Sequence, residues 1–282
     1  MSEYANPQVL VEPDWLEAHL RDAHVRVVEA SEDAALYDQG HIPNAVRLHW
    51  KEDLQDPVIR DWLAREQFGR LVGGLGLRPD QTVIFYGDKN NWFATYTFWL
   101  FKYYGHPDAR VLNGGRDRWY REGRQVTAEV PRFPAATYEP GRPDRSIRAF
   151  RDEVLQLLGQ PQAALVDVRS PAEFTGELLA PPAYPQEGAQ RSGHIPGARN
   201  VPWTQNVRED GTFKDADELN RLYDQQGIRS NLDVVAYCRI GERSSLTWFT
   251  LKYLLGFERV KNYDGSWTEW GSLVGVPIER TV

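Results

Sequence analysis

The chain carries most of its structural pattern twice. Gly40-His41-Ile42-Pro43-Asn44-Ala45 returns as Gly193-His194-Ile195-Pro196-Gly197-Ala198, and Trp50 returns as Trp203. The apolar runs Thr82–Tyr86 and Asp233–Tyr237 both end in tyrosine, and from there the correspondence has no gap. It pairs Tyr103-Tyr104-Gly105-His106 with Leu254-Leu255-Gly256-Phe257, Asn113-Gly114-Gly115 with Asp264-Gly265-Ser266, and Trp119 with Trp270. A repeat of this length is a duplicated domain, not a solenoid. At 282 residues the chain holds two copies of ordinary domain size.

Within each copy, strand patterns alternate with helical ones. Strands are expected over 25–30, 82–86 and 111–112, and again over 164–168 and 233–237. Helices are expected over 13–20, 62–75, 92–104 and 116–122, then 150–158 and 244–255. Such alternation predicts an α/β fold, each copy a mostly parallel sheet with helices on both faces. Between the copies Pro131, Pro134, Pro140 and Pro143 stand with Gly141 among charged residues, the composition of an extended linker. The expected division is therefore an N-terminal domain over 1–123, a linker over 124–146 and a C-terminal domain over 147–282.

The duplication supplies an internal control for chemistry. The second copy holds the only cysteine, in Tyr237-Cys238-Arg239-Ile240-Gly241-Glu242-Arg243-Ser244. Cys238 sits where a strand gives way to a loop and a helix N-terminus. There the first-turn N–H groups lack intrahelical partners, the macrodipole is positive, and a tight loop turns further amides inward. Arg239 and Arg243 add two formal charges. These effects favour thiolate, and cysteines so placed have pKa values of roughly 3.5–7.5. A lone free cysteine is usually a small buried hydrophobe. The flanking glycine, the arginines and the junction point instead to a nucleophile with an anion site around it. In the first copy Gly87 occupies the cysteine position and Asp88-Lys89-Asn90-Asn91 replaces the basic loop. That copy is expected to be catalytically inactive. Asp88 is a poor substitute nucleophile, because an amide-lined loop stabilises its anion. His41 and His194 occur in both copies while the cysteine occurs in one, so they read as structural.

With Gly-His-Ile-Pro-Gly-Ala at 193–198, Cys-Arg-Ile-Gly-Glu-Arg at 238–243 and Asp264-Gly265-Ser266-Trp267-Thr268-Glu269-Trp270 in that order, the chain resembles a tandem-domain rhodanese over nearly its full length. The resemblance implies two tandem rhodanese-like domains, the first inactive. It also implies sulfane-sulfur transfer from thiosulfate to cyanide or another thiophile through a persulfide on Cys238. The residues suit that chemistry: an activated thiolate attacks sulfur, and a preorganised ring of donors holds the anion. The ring is expected from the backbone amides of Ile240, Gly241, Glu242 and Ser244. Arg239 and Arg243 are expected on the donor's sulfonate oxygens, with Arg243 alternatively paired to Glu242 or another carboxylate. Arg191, just before the second Gly-His-Ile-Pro, is a further candidate for donor binding from outside the loop.

Within the family a basic residue after the cysteine accompanies thiosulfate use, and here Arg239 stands there. Relatives that bind the carboxylate of mercaptopyruvate carry arginine at the position of Thr175, so 3-mercaptopyruvate sulfurtransferase is the alternative. Glu242 departs from the vertebrate-type loop and offsets the arginines. A cysteine phosphatase is a rival from another class, but its loop sets cysteine and arginine one residue further apart and makes a larger cradle for phosphate. A cysteine hydrolase would need a histidine partner, and none follows His194. A non-enzymatic binding module would be expected only if both loops were degenerate.

The formal net charge of −7 argues against nucleic acid or acidic membranes as partners. No run of eighteen apolar residues or secretory signal is visible, and cytoplasm is the expected compartment. One cysteine allows no internal disulfide and no cysteine-based zinc cluster, and neither metal nor organic cofactor is implied. The expected partners are thiosulfate and a small thiophile or thiol acceptor. A duplicated chain can act as a monomer.

Overall fold

The computed structural model describes residues 3–184 and 188–281. The chain forms two compact units. One holds Pro7–Asp144 together with Glu209–Phe213, and the other holds residues 3–6, Arg145–Arg208 and residues 214–281.

The N-terminal unit has five strands, β1 (Leu10–Val11), β2 (Val25–Glu29), β3 (Ala45–Arg47), β4 (Thr82–Tyr86) and β5 (Ala109–Leu112). They pair in the order β1-β5-β4-β2-β3, every pair parallel. The C-terminal unit repeats the permutation with β6 (Arg148–Ala149), β7 (Ala163–Asp167), β8 (Arg199–Asn200), β9 (Asp233–Tyr237) and β10 (Val260–Tyr263), in the order β6-β10-β9-β7-β8. The central strands β4 and β9 are buried along nearly their whole length, because a parallel sheet has helices over both faces. The helices are α1 (Pro13–His19), α2 (Ala35–Gln39), α3 (Arg65–Gly74), α4 (Trp92–Tyr103) and α5 (Gly115–Arg121) in the first unit. In the second they are α6 (Arg151–Leu157), α7 (Pro171–Thr175), α8 (Ala216–Gln225), α9 (Glu242–Phe249) and α10 (Ser266–Trp270).

Several boundaries differ from the expected ones for physical reasons. The helix expected over 62–75 begins at Arg65, because Trp62 packs edge-on against Trp99 and Tyr103 and donates its indole N–H to the Tyr96 hydroxyl at 2.7 Å. α8 was not among the expected helices, although Asp215 and Glu218 form a capping box at its start. The helix expected over 244–255 starts two residues earlier, at Glu242, and ends in a π-helical turn over Thr250–Leu254. Every residue of α9 is buried.

Residues 124–144, which compose like a spacer, belong to the first unit. They run extended across α3 and the end of α4, with the Ala136 N–H on the Gly73 carbonyl at 2.9 Å and the Gly141 N–H on the Tyr104 carbonyl at 2.8 Å. Tyr138 is buried against Phe68 and hydrogen-bonds His106 Nδ1 at 2.8 Å. Gly73 permits that approach, since a Cβ there would lie 2.4 Å from the Ala136 carbonyl oxygen. The segment is a strap, and the unit ends at Asp144 instead of residue 123.

The repeated Gly-His-Ile-Pro motif fastens a loop to the end of the central strand. The hydroxyls of Tyr86 and Tyr237 accept the N–H groups of Ile42 and Ile195 at 3.0 and 3.1 Å. His41 stacks on Tyr37 and hydrogen-bonds its carbonyl; His194 does the same with Phe174. His41 commits both ring nitrogens to backbone carbonyls, and His194 commits one, with its Nε2 3.3 Å from the Glu279 carboxylate, which agrees with a structural role.

Candidate active site

β9 ends at Tyr237 and α9 begins at Glu242, so Cys238 to Gly241 must turn within four residues. Gly241 makes the turn possible at φ +97, a left-handed backbone, and a Cβ there would also lie 3.0 Å from Asp264 Oδ1. The start of α10 holds the loop from beneath. The Cys238 N–H donates to Ser266 Oγ at 3.1 Å, and the carbonyls of Cys238 and Arg239 accept the N–H groups of Trp267 and Thr268, each at 3.0 Å. Asn262 Nδ2 donates to the Gly241 carbonyl at 2.9 Å. Loop geometry therefore rests on groups from β10 and α10, far along the chain.

Cys238 has no exposed surface. The Gly241 N–H donates to Sγ at 3.2 Å, and the Ser244 amide and hydroxyl also face the sulfur. Of the amides expected to ring it, those of Gly241 and Ser244 are directed at it. One oxygen of Glu242 lies 3.3 Å from Sγ.

Both arginines of the loop are buried and paired. Arg243 grips Glu173 of α7 with two parallel bonds of 3.0 Å. Arg239 Nη2 lies 3.4 Å from the second Glu242 oxygen, with its guanidinium over the Tyr184 ring at 4.4 Å. Arg191 is exposed, and its guanidinium donates to the neighbouring Gln190 carbonyl. What links that residue to the loop is its backbone carbonyl, which accepts the Trp267 indole N–H at 3.0 Å.

Burial, with this pairing second, reverses the expected titration of the thiol. Burial pushes the Cys238 thiol up and Glu242 adds to it, while Arg243 and Ser244 pull the other way. Glu242 and Glu173 offset Arg239 and Arg243, the alternative the sequence left open for Arg243. Burial costs the Glu173 carboxylate, but the Arg243 fork outweighs that and holds its pKa down at about 2.

Glu173 and Arg169 are the site residues that sequence reasoning missed. Arg169 lies just past β7 and forks onto Asp167 within the core, with a bond of 2.6 Å to one oxygen, and stacks over Trp267 at 4.6 Å. A signal for Glu173 was present: Ser170-Pro171-Ala172-Glu173 is a capping-box pattern, and Ser170 does accept the Glu173 N–H. That pattern comes directly after β7, which lies beside β9 in the sheet. Parallel neighbours end on the same side, so the β7–α7 turn meets the β9–α9 loop.

The first unit shows what the loop looks like without a nucleophile. A Cβ on Gly87 would lie 2.2 Å from the Ala30 carbonyl oxygen, so no side chain fits. Asn91, at the position matching Glu242, accepts the Gly87 N–H through Oδ1 at 3.0 Å.

The rhodanese-like domain family matches residues 12–122 and 150–273. A curated relative from Thermus thermophilus, named sulfur carrier protein TtuD, is 57% identical over 98% of this chain and 98% of its own. One from Mycolicibacterium smegmatis, named "Putative thiosulfate sulfurtransferase", is 54% identical over 98% of this chain and 99% of its own. A relative of the same name from Haloferax volcanii is 52% identical over 99% and 98%. Among solved structures, YnjE superposes with a TM-score of 0.84 at 27% identity, covering 99% of this chain and 70% of that one. Wild-type EanB gives 0.84 at 25% identity, covering 100% and 71%.

Proposed function

The chain belongs to the rhodanese family, and from that premise we propose that it is a sulfurtransferase that moves sulfane sulfur from thiosulfate to a thiophile as a persulfide on Cys238. The observation that carries this reading is the lone cysteine at the β9–α9 junction with a backbone N–H on its sulfur. A buried, amide-lined loop stabilises a persulfide anion and shields it from water. In the first half-reaction the Cys238 thiolate attacks the outer sulfur of thiosulfate and sulfite leaves. In the second, a thiophile such as cyanide or a thiol attacks the terminal sulfur and frees the cysteine. The name sulfur carrier protein on a relative 57% identical fits a persulfide that is handed onward.

In this reading Arg239 and Arg243 bind the donor's sulfonate oxygens, and the bidentate pair with Glu173 fixes the Arg243 plane. Gly87 makes the N-terminal unit the inactive copy.

The test is an intact-mass spectrum of the chain before thiosulfate, after it, and after cyanide. The expected result is a gain of one sulfur atom, mapped to Cys238 and removed by cyanide, with no gain in Cys238→Ser. Sulfur uptake from mercaptopyruvate but not thiosulfate would replace the donor assignment. Full transfer activity in Cys238→Ser would end the reading.

A further inference from the structure

Glu242 is the side chain whose placement sulfur transfer leaves unexplained. It is 1% exposed, and its carboxylate bridges the thiol and both guanidiniums. One oxygen lies 3.3 Å from Cys238 Sγ; the other lies 3.4 Å from Arg239 Nη2 and 3.7 Å from Arg243 Nε. A thiol donates and a carboxylate oxygen accepts, so this contact places one proton between Sγ and the Glu242 oxygen.

The surrounding charge agrees. Arg239, Arg243 and Arg169 face Glu242, Glu173 and Asp167, three guanidiniums against three carboxylates. Losing the thiol proton to bulk water would set a second buried negative charge 3.3 Å from the Glu242 carboxylate, which is costly. Moving the proton from Sγ to the adjacent Glu242 oxygen keeps a single negative charge there and leaves Arg239 facing a charged sulfur and a neutral acid.

We propose that Glu242 is a catalytic residue that takes the Cys238 proton as the sulfur attacks, holds it through the persulfide state and returns it when the sulfur is passed on. This role rests on the sulfur-transfer reading above. In the first half-reaction the Cys238 S–H bond breaks and an O–H bond forms on Glu242. The thiolate pair attacks the outer sulfur of thiosulfate, the donor's S–S bond breaks, and sulfite leaves with the electron pair. Cys238 is then a persulfide anion beside a neutral acid. In the second half-reaction the thiophile's lone pair takes the terminal sulfur. The persulfide S–S pair returns to Cys238, and the proton passes back from Glu242. No proton or electron is consumed over the cycle.

The test compares wild type with Glu242→Gln and Glu242→Asp, reading kcat/KM for thiosulfate against pH. Wild type should be flat between about pH 6 and pH 9, because the base is built in. Glu242→Gln should start about a hundredfold lower at about pH 6 and climb about tenfold per pH unit, as the thiol comes to rely on bulk base, until it levels at the thiol's own pKa, which loss of the Glu242 charge lowers. Glu242→Asp keeps the acid and should keep the flat profile; it decides the question if the glutamine variant does not fold. A Glu242→Gln enzyme as fast as wild type, or faster, with the same flat profile overturns the proposal, since that is what a carboxylate that only repels the donor would give. Alkylation of Cys238 by iodoacetamide, read by mass, needs no sulfur donor and should show the same contrast in slope. That contrast without sulfur uptake from thiosulfate would overturn the sulfur-transfer reading and leave the proton pair standing. Sulfur uptake with no contrast would overturn the proton role alone.

Discussion

Glu173 decides what Arg243 can do. The pair is buried and bidentate, so removing one partner strands a charge in the core. Glu173→Gln should lower stability by about 3–5 kcal/mol, read as the denaturant midpoint. The same change leaves Arg243 opposed only by the more distant Glu242, so the thiol pKa should fall, read as thiolate absorbance against pH with Cys238→Ser as the blank. An unchanged midpoint together with an unchanged titration would show that the pair contributes nothing. The loop itself spells out Cys238, Arg239 and Arg243. It does not spell out that each arginine arrives already matched by a carboxylate, because one of those carboxylates lies 70 residues away in the chain.

At the level of elements, two loops at equivalent strand ends have taken different courses. Each leaves the central strand of its sheet and leads into the most buried helix of its unit. The C-terminal loop keeps room for a side chain at Cys238. The N-terminal loop is closed by the Ala30 carbonyl, 2.2 Å from where a Cβ on Gly87 would stand. Gly87→Cys should therefore destabilise the chain and fail to create a second carrier; mass spectrometry after thiosulfate should still find one added sulfur, on Cys238. Two added sulfurs would show that the closed loop opens readily. Gly241→Ala tests the active loop in the same way. Its φ of +97 and the nearby Asp264 leave no relaxed place for a methyl group, so sulfur uptake should fall even where the fold persists.

Across the whole molecule, two buried groups give acid sensitivity in separate ranges. Burial holds His106 of the N-terminal unit neutral, with its pKa pushed down to about 4 from 6.5. Its contribution is fully present above pH 6.5 and is lost as pH falls towards about 4, since the unfolded chain takes up the proton first. Glu173 of the C-terminal unit is held at about 2 instead of 4.5, so its contribution is present above pH 4.5 and is lost as pH falls towards about 2. Denaturant midpoints followed down in pH should show both losses. His106→Gln should remove the upper one and Glu173→Gln the lower one; a variant that moves the other range would refute the assignment.

Most of the architecture was legible along the chain. The duplication and the parallel α/β pattern follow from repeats and periodicity, because strand and helix signals are local and recur at matching positions. Cys238 was legible for the same reason, as a difference between two otherwise matching loops. The short helices α2 and α7 were not, since five residues carry too little periodicity to read. The strap over 124–144 was misread because proline and charge describe how a segment is shaped, not what it lies against. The state of the thiol was decided in three dimensions. Its charge depends on a sum over groups that the order β9-β7-β8 and the α10 support bring together, and no local stretch contains that sum.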